Sequence, residues 1–189
     1  MTQRELFETY NKQVYRTCYY MVHNASDAED LCQEVFISVF RSNWEHIEHL
    51  RAWIMRIAVN RCLTHLKSQR SRQAKDFLVQ SQYSPIEHEG KALDLLLEER
   101  EAAEELAGDM MQLPPKIRAA VSLRYMHDFS MADIAEILSI PVGTAKSRVH
   151  KGLKLMKLIL SKREFAIHRS EEGGCHEAYR EQTKAATKP

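Results

Sequence analysis

The sequence predicts an all-α protein of two small helical domains joined by a flexible linker, the C-terminal domain containing a helix-turn-helix. Three observations carry that expectation. Apolar residues recur at helical spacing through most of the chain up to Arg163. The period lapses over residues 76–92, where Ser84-Pro85 and Gly90 mark a linker. Residues 128–163 read as a short apolar-faced helix, a tight turn and a second helix that is basic over its whole length, the pattern of a helix-turn-helix.

A chain of 189 residues suits one or two such domains. No apolar run approaches the roughly 20 residues that span a bilayer, and the first residues lack a signal peptide's apolar block, so a cytosolic protein is expected, without membrane insertion. The cysteines Cys18, Cys32, Cys62 and Cys175 form no C-x-x-C pair, which points away from a disulfide framework or zinc knuckle. Cys18, Cys32 and Cys62 fall on apolar helical stripes and read as core residues, while Cys175-His176 could bind metal only with ligands from elsewhere.

The formal net charge of +1 hides a pattern. Residues 51–75 carry seven Arg or Lys and no acid, residues 87–109 carry nine acids against two bases, and residues 143–163 carry seven bases and no acid. Two cationic zones flanking an acidic one suggest two separate contacts with a polyanion.

Taken in order, Leu6, Tyr10, Val14, Cys18 and Val22 repeat every four residues, with Phe7, Tyr15 and Tyr19 beside them, and predict a core helix over 3–23. Ser26 with Glu29 resembles a capping box that starts a second helix, 27–40. Its acids Asp27, Glu29 and Asp30 suit the positive end of a helix dipole, yet Gln33 and Glu34 carry the polar face beyond that first turn. Residues 41–50 read as a loop or broken turn. From Arg51 a third helix carries Trp53, Ile57 and Leu63 through Leu66 among Arg51, Arg56, Arg61, Lys67, Arg70 and Arg72. Aromatics within an acid-free basic helix offer base stacking together with phosphate contact, although Trp53 as a plain core residue explains the position equally well.

Helical character resumes at 93–113 and stops at Leu113-Pro114-Pro115, where Pro115 can open the next helix. Residues 115–127 place Ile117, Val121 and Tyr125 on one stripe. In the last helix, at about 100° per residue, Val142, Ala145, Leu153 and Met156 lie within about 40° of Val149, with Thr144, Ser147, Lys151 and Lys154 on the far side. One face packs and the other attracts phosphate. Beyond Phe165, paired glycines and many charges suggest a flexible tail. No phosphate-binding, dinucleotide, zinc-protease or hydrolase motif occurs, nor any grouping of nucleophile, base and orienting residue, so the chain reads as a non-enzyme without cofactor or metal.

Four segments, at 27–40, 50–72, 113–138 and 139–156, together resemble a bacterial RNA polymerase sigma factor of the extracytoplasmic-function type. The resemblance implies a division into residues 1–75 for core polymerase binding and for recognising and melting the minus-ten element, a linker at 76–92, residues 93–164 for the minus-thirty-five element, and a flexible tail at 165–189. It implies that Asp27, Asp30, Gln33 and Glu34 meet core RNA polymerase. Trp53, Arg56, Asn60 and Arg61 would serve the minus-ten element on the non-template single strand, with 44–50 as specificity loop and a flipped base held in a protein pocket. Thr144, Lys146, Ser147, Arg148, His150 and Lys151 would read the minus-thirty-five duplex. The resemblance further implies a cognate anti-sigma factor and a stress or envelope regulon. Ser139 stands where the family commonly has glycine in the turn, a small change as long as the backbone there needs no positive φ. Residues 113–163 alone would equally suit a stand-alone helix-turn-helix regulator; a third reading is a protein-binding module whose basic helices only solvate the fold.

Overall fold

The computed structural model describes residues 1–76 and 97–185, with side chains over 1–72 and 102–163, and among these it is entirely helical. The linker expected at 76–92 lies almost wholly outside the described residues.

Helix α1 spans Gln3–Val22 and begins in a capping box, Glu5 N–H donating to Thr2 Oγ1 at 3.2 Å and Thr2 N–H to Glu5 Oε2 at 2.9 Å. It ends at His23, in the left-handed region with φ 51°. Helix α2, Ala25–Phe40, starts two residues earlier than expected because Asn24, not Ser26, is its cap; Asn24 Oδ1 accepts from Asp27 N–H at 2.9 Å. A 3₁₀ turn at Trp44–His46 interrupts the expected loop and buries Trp44. Helix α3 then runs from Leu50 to Asp76. Leu6, Val14 and Cys18 of α1, Val35 and Val39 of α2, and Ile54, Met55, Ala58 and Cys62 of α3 form the shared core of these three helices. The thiols of Cys18, Cys32 and Cys62 are buried in it, as the apolar stripes suggested.

Helix α4 spans Leu97–Met111 and α5 Pro115–Tyr125, the latter with proline in its first turn. Every residue from Ile117 to Leu123 is buried, so α5 is wrapped on all sides. Tyr125, expected on its inward stripe, is instead 55% exposed. The helix-turn-helix consists of α6, Met131–Leu138, and α7, Val142–Ala185. Ser130 and Asp133 form the capping box of α6. At the turn, Ile140 N–H reaches back to Ala135 O at 2.9 Å and Pro141 O accepts from Thr144 and Ala145, which fixes where α7 begins.

Ser139 occupies the left-handed region, φ 52°, so the backbone does need the positive φ that glycine supplies without strain. The helix-turn-helix forms nonetheless, with the cost borne by the serine.

Helix α7 packs on α5 through Ala145, Val149, Gly152 and Met156. Val142 and Leu153, expected on the buried face, are 43% and 41% exposed. For Leu153 the neighbouring Gly152 is the reason: a Cβ there would lie 2.3 Å from Val121 Cγ2, so the helices meet at the glycine and the buried face turns toward it, while Val142 is the first residue of the helix. The helix continues to Ala185, so the segment expected as a tail beyond Phe165 follows a helical path.

The apolar core does not stop at the boundary between the expected domains. Ala119, Ala120, Leu123, Phe129, Ile134, Ile137, Ala145 and Val149 join the core of α1–α3, while Tyr20 of α1 packs with Met110, Leu113, Ile117, Val121 and Met156.

Candidate nucleic-acid interface

On α3, Trp53, Arg56 and Asn60 fall within about 60° of one another around the helix. Arg56 and Asn60 are exposed and Trp53 is half-buried, neither sealed in the core nor free. Trp53 and Arg56, with Ala52 and the loop residues His46, Ile47, Glu48 and His49, line a cavity of about 240 Å³. Its remaining wall is Glu136 and Ile137 of α6. An indole and a guanidinium beside a small cavity can stack on a base and neutralise its phosphate.

Arg61 stands apart, about 80° around the helix from Trp53. It turns to α2, where its Nη2 donates to Ser38 Oγ at 2.9 Å and its Nη1 lies 3.5 Å from Glu34 Oε2. Both partners are about half exposed, so this pair contributes at most about 1 kcal/mol and is readily exchanged for another.

Asp30, Gln33 and Glu34 form an exposed face of α2. Asp27 is half-buried and braced against α3: Gln69 Nε2 donates to its Oδ2 at 3.2 Å and His65 Nε2 lies 3.3 Å away. Ile37, one heptad after Asp30, is 49% exposed and adds an apolar contact that the polar pattern did not indicate.

The first turns of α7 present Lys146, Ser147, His150 and Lys151 to solvent, with Thr144 and Arg148 half-buried at the edges. Ser147 Oγ donates to Thr144 O at 3.0 Å, one turn back. Ala145 and Val149 are buried beneath, so six residues share a rigid polar rim, as a groove-reading helix requires. Not all of the basic run is available: Arg163 Nη1 pairs with Asp109 at 2.9 Å and Glu105 at 3.1 Å of α4.

Three residues of structural weight escaped the sequence pattern. Arg118 of α5 is 2% exposed; its Nη1 donates to Met21 O in the last turn of α1, and its Nη2 to Met111 O at 2.9 Å and Leu113 O at 3.1 Å at the end of α4. Burial, then the charge of Arg70, lowers its pKa to about 10, so it remains a cation at neutral pH. His127 Nε2 lies 2.7 Å from Thr17 Oγ1. Arg51 at the start of α3 donates through Nη2 to His127 O at 2.7 Å and through Nε to Gln13 Oε1 at 3.1 Å, and its Cζ sits 4.5 Å over the Phe129 ring. No local signal sets Arg118 apart: α5 also carries Lys116 and Arg124, and of these three cations only Arg118 is buried.

Fold and faces together define a helical protein with two separate candidate surfaces, a recess lined by Trp53 and Arg56 and a basic rim on a helix-turn-helix. Residues 6–72 match the model of sigma-70 region 2, and residues 110–156 that of sigma-70 region 4. The chain is 28% identical over 160 residues to the ECF RNA polymerase sigma factor SigW of Bacillus subtilis, across 81% of this chain and 86% of the relative. It is 32% identical over 140 residues to the RNA polymerase sigma-H factor of Pseudomonas aeruginosa, across 69% and 71%. In fold it is similar to the sigma factor RpoE solved with the anti-sigma factor NepR from Bartonella quintana, with TM-score 0.65, 21% identity and coverage of 84% and 96%. It is also similar to CnrH solved with the cytosolic domain of CnrY, with TM-score 0.59, 14% identity and coverage of 85% and 88%. The chain belongs to the RNA polymerase sigma factors of the extracytoplasmic-function type and directs transcription initiation. The region 2 match leaves a stand-alone regulator without support. No helix among the described residues is long and apolar enough to cross a membrane, and no described cluster of His, Cys, Asp and Glu is suited to hold a metal ion.

Proposed function

We propose that this sigma factor works in the cytoplasm as a non-catalytic specificity subunit, with a division of labour between its halves. Residues 1–75 would engage core RNA polymerase through Asp27, Asp30, Gln33 and Glu34 of α2 and read the melted minus-ten element through Trp53, Arg56, Asn60 and Arg61. Residues 93–164 would place the α7 rim of Thr144, Lys146, Ser147, Arg148, His150 and Lys151 in the major groove of the minus-thirty-five element. The observation carrying this reading is the cavity beside α3, in which Trp53 and Arg56 meet the loop at 46–49. It is the kind of recess a flipped base needs, with the few kcal/mol of unstacking offset by stacking and phosphate contact. Because a sigma factor similar in fold was solved with an anti-sigma factor, a cognate anti-sigma factor is proposed as the partner that silences this one.

Run-off transcription with core polymerase on a genomic promoter library tests the assignment and yields the promoter motif. The expected result is initiation at a defined set of promoters that depends on this protein. Tight specific binding of duplex DNA by the free protein, with no stimulation of polymerase, would sink it. A protein-binding role would instead show almost no salt dependence in DNA association, whereas several phosphate contacts give a steep log–log slope.

A further inference from the structure

Helix α3 is polar on two opposite sides. His65 and Gln69 lie about 120–180° around the helix from Trp53, Arg56 and Asn60, away from the cavity and toward α2. Both reach the same atom there: Gln69 Nε2 donates to Asp27 Oδ2 at 3.2 Å, and His65 Nε2 lies 3.3 Å from that oxygen. His65 Nε2 is closed off from solvent and makes no hydrogen bond among the described residues, so it faces the Asp27 charge off line. A proton on Nε2 makes this approach attractive, because a bare lone pair would repel the carboxylate.

Asp27 is held from a second direction, since its backbone N–H donates to Asn24 Oδ1 at 2.9 Å where α2 begins. Backbone and Oδ2 are thereby fixed, while Oδ1 takes no hydrogen bond among the described residues and the side chain keeps 32% of its surface exposed. Asp27, Asp30 and Glu34 fall within about 60° of one another around α2, spaced about 4.5 and 6 Å along its axis. Asp30 is exposed and makes no hydrogen bond or ion pair among the described residues, and the Glu34 carboxylate is met by Arg61 at 3.5 Å in an exposed pair. The row therefore contains one carboxylate set in place and two that can adjust.

We propose that His65 and Gln69 are positioning residues of the polymerase face: by holding Asp27 through Oδ2 they present Oδ1, already oriented, to a guanidinium or ammonium group of core polymerase. This rests on the assignment of the α2 acids to polymerase binding. Gln69 is uncharged and occupies one oxygen, so the negative charge of Asp27 stays available to a cation. A side chain already fixed loses less freedom on binding than a loose one, which for one carboxylate amounts to about a two- to five-fold gain in affinity. Helix α3 then serves both partners, the promoter strand from one side and polymerase, through Asp27, from the other.

Titration of the full-length protein against core polymerase in run-off transcription separates affinity, read as the half-maximal concentration, from the later DNA steps, read as the rate at saturation. His65→Leu and Gln69→Leu should each raise the half-maximal concentration about two- to five-fold and leave the saturating rate at the parent value. His65→Gln, which restores an N–H donor, should return close to the parent concentration. In an Asp27→Ala background neither leucine substitution should shift the half-maximal concentration further, because both act through Asp27. Far-UV circular dichroism identifies a variant that fails to fold, and the other variant then decides. Parent-like half-maximal concentrations in the folded leucine variants would overturn the positioning role, and so would shifts that persist without Asp27. Asp30→Arg checks the polymerase face itself. Full binding by that variant defeats the α2 assignment, whereas its loss of binding beside unaffected leucine variants removes only His65 and Gln69.

Discussion

Thr17 and His127, 110 residues apart in sequence, meet at 2.7 Å between hydroxyl and imidazole inside the protein. Neither side chain reaches solvent, and the pair sits where the helices of the two halves come together. Burial, then the charges of Arg51 and Arg16, lowers the His127 pKa from 6.5 to about 4, against a smaller opposing effect of Asp128.

Stability should therefore depend on pH through this residue. Because the folded-state pKa lies below the ordinary value, the unfolded chain binds more protons between the two, and stability falls as pH drops from about 6.5 toward about 4. Above about 6.5 the contribution is complete; below about 4 roughly 3 kcal/mol has been lost. Urea unfolding of the parent and of His127→Gln, which keeps an N–H donor without a titrating ring, isolates the effect. The gap between their stabilities should change across that window and stay flat above pH 7.

Gly152→Ala should destabilise the protein. Its Cβ would fall 2.3 Å from Val121 Cγ2 and 3.0 Å from Ile117 Cγ2, on side chains locked inside a buried helix. Overpacking of this kind costs about 1–3 kcal/mol, against about 1 kcal/mol regained from alanine's helix propensity. A lowered urea midpoint, partly restored by adding Val121→Ala, is the expected result.

Ser139→Gly should stabilise. The serine holds φ 52° at the end of α6, a conformation that costs a side-chain-bearing residue about 1–2 kcal/mol and glycine far less. Glycine's extra unfolded-state freedom offsets part of that, leaving a gain of about 0.5–1 kcal/mol, read as a rise of a few degrees in the thermal midpoint.

Asp30→Arg should weaken association with core polymerase at unchanged fold stability, because Asp30 is exposed and makes no contact within the core. Pull-down with purified core polymerase measures the first and circular dichroism the second. Retention of full binding would remove Asp30 from the polymerase face.

Lys151→Ala should reduce recognition of the upstream element. If the ammonium touches a base edge the loss is about 1–3 kcal/mol and confined to particular promoters, whereas a phosphate contact lowers the salt slope by about one at every promoter. Run-off titrations at several salt concentrations separate the two.

The helices were legible because each carries its own period. Leu6, Val14 and Cys18 on α1, the Ser130-to-Leu138 helix and the basic α7 are all written locally, as are the proline that opens α5 and the exposed lysines of α7. Errors arose where a distant residue decides a local outcome. Leu153 has the right angular position to be buried, but Gly152 lets α5 come close on one side and turns it outward. Asn24 and Ser26 are both good caps, and it is Asn24 whose side chain accepts from Asp27 N–H. Arg61 shares an acid-free basic run with Arg56 but lies about 140° from it around the helix, where it meets Glu34 and Ser38 of α2. Nothing in a single helix's pattern announces that Arg118 is buried or that His127 faces Thr17, because both depend on helices that lie elsewhere in the chain.

Arg118 also restricts what evolution or an engineer can place at its position. Its flat guanidinium directs separate N–H groups at carbonyls on two helices at once, Met21 on α1 and Met111 and Leu113 at the end of α4. Lysine would carry the same charge into the same dry space, but its ammonium is compact and strongly hydrated and lacks the fork that spans both helix ends. The position selects the shape of the cation more than its charge, so the usual interchange of basic residues is closed to it.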